Sequence, residues 1–292
     1  MTTAASRRAG EWCLTAPSLA WLVALVLLPT LVVVAIALRP ADPYGGVGTG
    51  WTLDGVRALA RPAYAAIAWR TAWLSFVTTA LCLILATPMA YVMARAGAAW
   101  RRRLLLLVVV PFWTSLLVRI FAWKVVLHPD GAIKRALAAV HLVDPSATLL
   151  YNPGAVLLVM VYTSLPFAIL PIYAAAERFD FALLEAARDL GATSSVAFRS
   201  VFVPGIGRGL AGAALLVFIP SLGSYIVPDL VGGPGGEMVG NVIAQRVFVD
   251  RDLPHASALS AALTLVVLAP IVAALALRAR EETIAPPKGD PR

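Results

Sequence analysis

Six stretches of this chain, 19–38, 71–93, 104–127, 155–175, 210–230 and 256–277, are apolar almost throughout. Each matches the roughly 20 residues that carry a helix through about 30 Å of hydrocarbon. The third is imperfect, because Arg119 and Lys124 interrupt its second half. The pattern predicts an all-α integral membrane protein: a single domain of six transmembrane helices over 19–277, between tails of 1–18 and 278–292.

The polar segments between the runs set the orientation. Arg95, Arg101, Arg102 and Arg103 lie between the second and third runs with no acid among them. Such a loop is retained on the cytoplasmic side. Counting outward from it, both termini fall in the cytoplasm, where Arg7 and Arg8 precede the first span and Arg278 and Arg280 follow the last. A cleaved export signal is the competing reading of the amino terminus, but the apolar run is longer than the 7–15 residues typical of a signal core. The loop 176–209 is then cytoplasmic as well. The external connections are 40–70, 129–153 and 231–254. The first holds a short interfacial helix at 51–59, with Trp51 at headgroup depth. The second holds a short helix around 133–140. The third opens on Gly232-Gly233-Pro234-Gly235-Gly236, which reads as a flexible turn.

Composition agrees with burial in a bilayer. Of 292 residues, 60% are hydrophobic and 14% charged, where a soluble domain carries about a quarter charged. The net charge of +8 does not indicate nucleic acid, because the basic residues flank apolar runs instead of clustering on a soluble face. Cys13 and Cys82 are too scattered for a disulfide framework, and His128, His141 and His255 show no metal-ligand spacing. No metal or cofactor is expected on this chain.

The loop 176–209 contains a polar island, Glu185-Ala186-Ala187-Arg188-Asp189-Leu190-Gly191. Asp180 suits an N-cap, and a helix over 181–190 would be about 15 Å long. Leu183, Leu184, Ala187 and Leu190 share one face at helical spacing, with Glu185, Arg188 and Asp189 opposite. Gly191 stops the helix, since glycine accepts a left-handed C-cap without penalty. Ser194 or Ser195 can cap a second helix that runs to about Phe202, ahead of Pro204. A short rigid helix with a sharp end suits a groove on a partner, and the small Ala186 and Ala187 permit close approach.

Glu185-Ala186-Ala187, Gly191 and the Val203-Pro204 pair resemble the cytoplasmic "EAA" loop of ABC importer permeases. Val203 stands where a leucine often precedes the proline. Pro111-Phe112-Trp113-Thr114-Ser115 with Arg119, Pro166-Phe167, Pro220-Ser221-Leu222-Gly223, Pro228-Asp229-Leu230 and Gly240-Asn241 are similar to the polyamine (spermidine/putrescine) subgroup. The resemblance implies a type I permease of the bacterial inner membrane. Glu185, Ala186, Ala187, Asp189, Gly191 and Pro204 would couple it to a dimeric cytoplasmic ABC ATPase. A second homologous permease, forming a heterodimer, and an extracytoplasmic substrate-binding protein would complete the importer. The chain lacks the Gly-x-x-x-x-Gly-Lys-Ser/Thr phosphate loop, so ATP and Mg would be used by the partner.

Charges at membrane depth are functional candidates. Arg119 and Lys124 either face the pathway or snorkel to the interface. Trp113, Tyr225, Asp229 and Glu237 could offer a polycation aromatic faces and carboxylates, although Arg119 and Lys124 would repel it unless neutralised. Iron, thiamine and phosphonate are alternative cargoes within the class. An intramembrane enzyme would need a base beside Ser221 or Ser224, and the three histidines all lie at external connections. A scaffold without transport is the remaining alternative.

Overall fold

The computed structural model describes residues 3–284 apart from 132–133, 136–137, 139–143, 145–147 and 234, with side chains described from 15 to 268. The expected helix at 133–140 and the end of the C-terminal tail fall largely outside these residues. Regular structure among the described residues is helical, apart from one isolated bridge between Ala41 and Val47.

The first helix, α1 (Thr3–Ala37), starts within the expected tail and carries the apolar run. The expected interfacial helix is the single turn α2 (Asp54–Ala58). Its start is fixed by Thr52, whose Oγ1 accepts from the Asp54 N–H at 3.2 Å. The second apolar run lies in α3 (Pro62–Arg95), which extends into the segment expected to be an external loop. Pro62 opens it at a position where a missing N–H costs nothing.

The third run corrects the expectation of one continuous span. It divides into α4 (Ala98–Val109), a 3-10 turn at Val110–Trp113 and α5 (Leu116–Val126). The two arms are bent by 93°. Pro111 removes a helical donor, Thr114 Oγ1 donates to the Pro111 carbonyl at 2.7 Å, and Thr114 is extended. The fourth run is α6 (Pro153–Glu177). Asn152 caps it by accepting from the Ala155 N–H at 2.9 Å, and Pro153 follows at N1.

The loop region holds α7 (Ala182–Asp189), α8 (Ser194–Ala197), a π turn at Phe198–Phe202 and α9 (Val203–Gly205). The fifth run is also broken: α10 (Gly207–Leu222) ends after Pro220, and α11 (Ile226–Val231) follows Gly223-Ser224-Tyr225. Then come α12 (Val239–Phe248) and α13 (Leu253–Ile284). Three helices are long and apolar enough to cross a bilayer: Thr15–Ala37, Pro62–Arg95 and Pro153–Glu177. The bent pairs raise the number to five among the described residues, and Leu253–Leu268 is a shorter apolar stretch.

The chain divides into two compact units, Met1–Ala65 with Val242–Arg292, and Ala66–Asn241. In the first, α13 packs against α1 and α2. Arg39 stacks over Trp51 at 5.3 Å, and Arg246 bonds the Tyr64 hydroxyl at 3.2 Å and Asp250 at 2.9 Å. His255 is buried beside Tyr64, with ring centres 5.2 Å apart.

In the second unit, α6 is the central element. Around one half of it Cys82, Ala86 and Ala90 of α3, Ile169 and Ile172 of α6, and Val217 of α10 form a buried core. Around the other half, Leu74, Ile120, Val156, Val159 and Val231 form a second core. The α6–α10 contact is close because its residues are small: a Cβ on Gly209 would sit 2.4 Å from that of Ala175. Arg101 of α4 reaches Glu177 at the end of α6 across 2.8 Å.

Two glycines of the expected third external connection lie close against neighbouring backbone. A Cβ on Gly232 would meet the Pro228 carbonyl at 2.5 Å, and one on Gly236 would meet Gly232 at 2.6 Å. These glycines permit packing. The segment that follows is pinned by Asn241, which accepts from the Met238 N–H and donates to the Tyr225 carbonyl. Thr71 Oγ1 accepts from the Val239 N–H at 2.9 Å.

Candidate functional site

The loop 176–209 folds as a helical hairpin within the second unit. Asp180 Oδ1 accepts from the Ala182 N–H at 3.0 Å, which sets the start of α7. At the other end Gly191 has φ of 92°. The Gly191 N–H donates to Arg188 at 2.8 Å and the Ala192 N–H to Ala187 at 3.0 Å. That pair of bonds is a Schellman motif, which closes the helix on a left-handed residue. The cap of α8 is Thr193 rather than Ser194 or Ser195. Its backbone is extended and its Oγ1 accepts from the Val196 N–H at 3.4 Å, the geometry an N-cap requires.

The apolar face of α7 is narrower than periodicity predicts. Leu184 is buried and Ala187 is partly buried against the core. Leu183 and Leu190 are 51% and 89% exposed. Glu185, Ala186, Arg188 and Asp189 are exposed with them. The outward surface therefore mixes carboxylates with exposed leucine.

The second helix does not stop before Pro204. Its π turn is closed by the Val203 N–H donating to the Phe198 carbonyl, so the chain passes through Pro204 without needing the donor that proline lacks. Phe202 and Ile206 are fully buried, while Pro204 is exposed. A Cβ on Gly205 would lie 2.4 Å from the Phe179 ring, so Gly205 lets that ring lie on the backbone. Gly205, Thr193, Phe179 and Phe202 were not singled out from the sequence. The spacing of Phe198 and Phe202, one turn apart, was the available signal.

The pathway candidates are dispersed over the second unit. Trp113 ends the 3-10 turn and is 80% exposed. Arg119 lies in α5 with its guanidinium 4.7 Å from the Phe112 ring centre, and Phe112 packs edge-on against Phe167 of α6. Lys124 lies over Tyr151 at 5.7 Å. Among the described residues, neither cation has a carboxylate within ion-pair distance. Tyr225, Asp229 and Glu237 are exposed. The Glu237 carbonyl accepts from Arg70 at 3.5 Å. Among the described residues, no side-chain hydrogen bond, ion pair or ring contact joins any two of Trp113, Arg119, Tyr225, Asp229 and Glu237.

Long apolar helices with a compact helical hairpin between two of them make the frame of a multi-pass membrane protein. Residues 86–280 match the family of binding-protein-dependent transport system inner membrane components, and the chain belongs to that family. It is an ABC importer permease and a multi-pass inner-membrane protein. It is 37% identical over 244 residues to the spermidine/putrescine transport system permease protein PotB of Haemophilus influenzae, covering 84% of this chain and 85% of that one. It is 35% identical over 246 residues to the protein of the same name from Escherichia coli, covering 84% and 90%. In structure it is similar to a chain of the bacterial alginate ABC transporter in complex with alginate pentasaccharide-bound periplasmic protein. The TM-score is 0.67 at 15% identity, over 91% of this chain and 93% of that one. That likeness extends to the fold.

Proposed function

We propose that this permease crosses the membrane six times with both termini in the cytoplasm and moves a polyamine inward. In this reading the hairpin 182–205 is the docking site of a separate dimeric ABC ATPase that binds and hydrolyses ATP with Mg. A second, related permease completes the channel, and an extracytoplasmic binding protein delivers the cargo. The observation that carries the coupling role is the split character of α7. Leu184 anchors it in the core while Glu185, Asp189 and Leu190 stand free on the outer surface. A partner groove that buried Leu190 and met the two carboxylates with cations would use what the hairpin leaves exposed.

The polyamine assignment is supported by the relatives named for spermidine and putrescine. The exposed carboxylates Asp229 and Glu237 suit a polycation, with Tyr225 and Trp113 as aromatic faces. Arg119 and Lys124 are each held over a ring, an arrangement that occupies them without a carboxylate. The cognate binding protein should bind spermidine or putrescine in titration calorimetry. Binding of ferric iron, thiamine or a phosphonate instead, with no polyamine binding, would move the cargo to that class.

A further inference from the structure

We propose, resting on the coupling role of the hairpin, that Tyr91 and Arg95 at the end of α3 form the joint through which the docked hairpin moves the spans. Tyr91 contributes one ring from α3 to a set of phenylalanines drawn from the hairpin. Its ring centre lies 5.0 Å from Phe202 at 78°, 5.3 Å from Phe198 at 89° and 6.0 Å from Phe181 at 63°. Phe179, just past the end of α6, meets Phe181 at 5.4 Å and Phe202 at 5.2 Å, both edge-on. Phe198 and Phe202 stack on each other at 5.3 Å within the π turn. Two spans, α3 and α6, thus grip both arms of the hairpin through one group of rings.

Arg95 fixes the orientation of the central ring. Its Nη1 donates to the Tyr91 hydroxyl at 2.7 Å, and its guanidinium stands 5.6 Å from the Tyr91 ring centre and 5.9 Å from that of Phe181. Edge-to-face rings prefer particular angles, so they resist sliding in a way that aliphatic contacts do not. Packed groups of this kind pass a displacement on as a unit instead of absorbing it. Tyr91 and Arg95 belong to α3, whereas Glu185 and Leu190 belong to the hairpin. They are positioning residues, acting through the hairpin rather than on ATP or cargo.

The test uses the complete importer in proteoliposomes, with radiolabelled spermidine and ATP as probes. In Tyr91→Leu the ATPase should still co-purify and ATP hydrolysis should continue. Uptake should fall so that ATP consumed per spermidine rises about tenfold, within the range that residues on a communicating path produce. Tyr91→Phe, which keeps the ring but loses the Arg95 bond, should recover part of the ratio, and Phe198→Leu should reproduce the loss from the hairpin side. If Tyr91→Leu does not assemble, Phe198→Leu decides the matter by the same ratio. An unchanged ratio, or loss of the ATPase from both variants, overturns the joint. Failure of the docking role is read separately, as undiminished ATPase capture and uptake in Glu185→Arg.

Discussion

Gly191, at the turn of the hairpin, and Gly205, at its end, answer to different constraints. Gly191 has open space around its α-carbon but a φ of 92°, a conformation costing an L-residue roughly 1–2 kcal/mol. Gly205 has ordinary torsions and no room, because the Phe179 ring lies where its Cβ would be. Gly191→Val should therefore abolish uptake by misdirecting the turn while leaving membrane insertion intact, and Gly191→Asn, which tolerates the left-handed region, should retain most of it. Gly205→Ala should lower thermal stability in detergent, by about 1–3 kcal/mol, because the ring must move. Normal uptake in Gly191→Val would show that the turn is not needed. Gly191 was legible in the sequence because a helix pattern stops at it. Gly205 was not, because its constraint comes from a ring on another segment. Periodicity puts Leu190 on one face with Leu184 but does not tell which of the two the core covers.

At the scale of elements, the apolar runs were legible because hydropathy reports burial in lipid directly. The breaks within them were not. Pro88, Pro166 and Pro171 lie inside continuous helices, whereas Pro111 lies at a 93° bend. A proline frees a carbonyl in every case, and whether the helix breaks depends on what else can satisfy that group. At Pro111 the extended backbone of Thr114 and Ser115 follows, and the helix restarts in a new direction. The segment after α11 shows the same limit: hydropathy does not reveal that Asn241 bonds the Tyr225 carbonyl and the Met238 N–H at 3.0 and 3.1 Å. Asn241→Ala should cost about 1–3 kcal/mol by leaving backbone groups unpaired. A fall in melting temperature with unchanged ATPase capture is the expected result; an unchanged melting temperature would mean that the segment is held by other contacts.

For the whole molecule, the surface identifies the solvent. Trp21, Leu28 and Leu31 of α1 are 69%, 64% and 65% exposed on an apolar helix, which suits hydrocarbon or another subunit rather than water. The polar hairpin at one end of α6 is then the part available to a soluble partner, and the family supplies the class of machine it belongs to. The claim that most needs testing is that this hairpin receives the ATPase. With Cys13 and Cys82 replaced by alanine, Leu190→Cys should react with a bifunctional thiol reagent in inside-out vesicles and join this chain to the ATPase. Tyr44→Cys, on the side the proposed orientation makes external, should not. Efficient cross-linking from position 44 with none from position 190 would contradict both the orientation and the docking role.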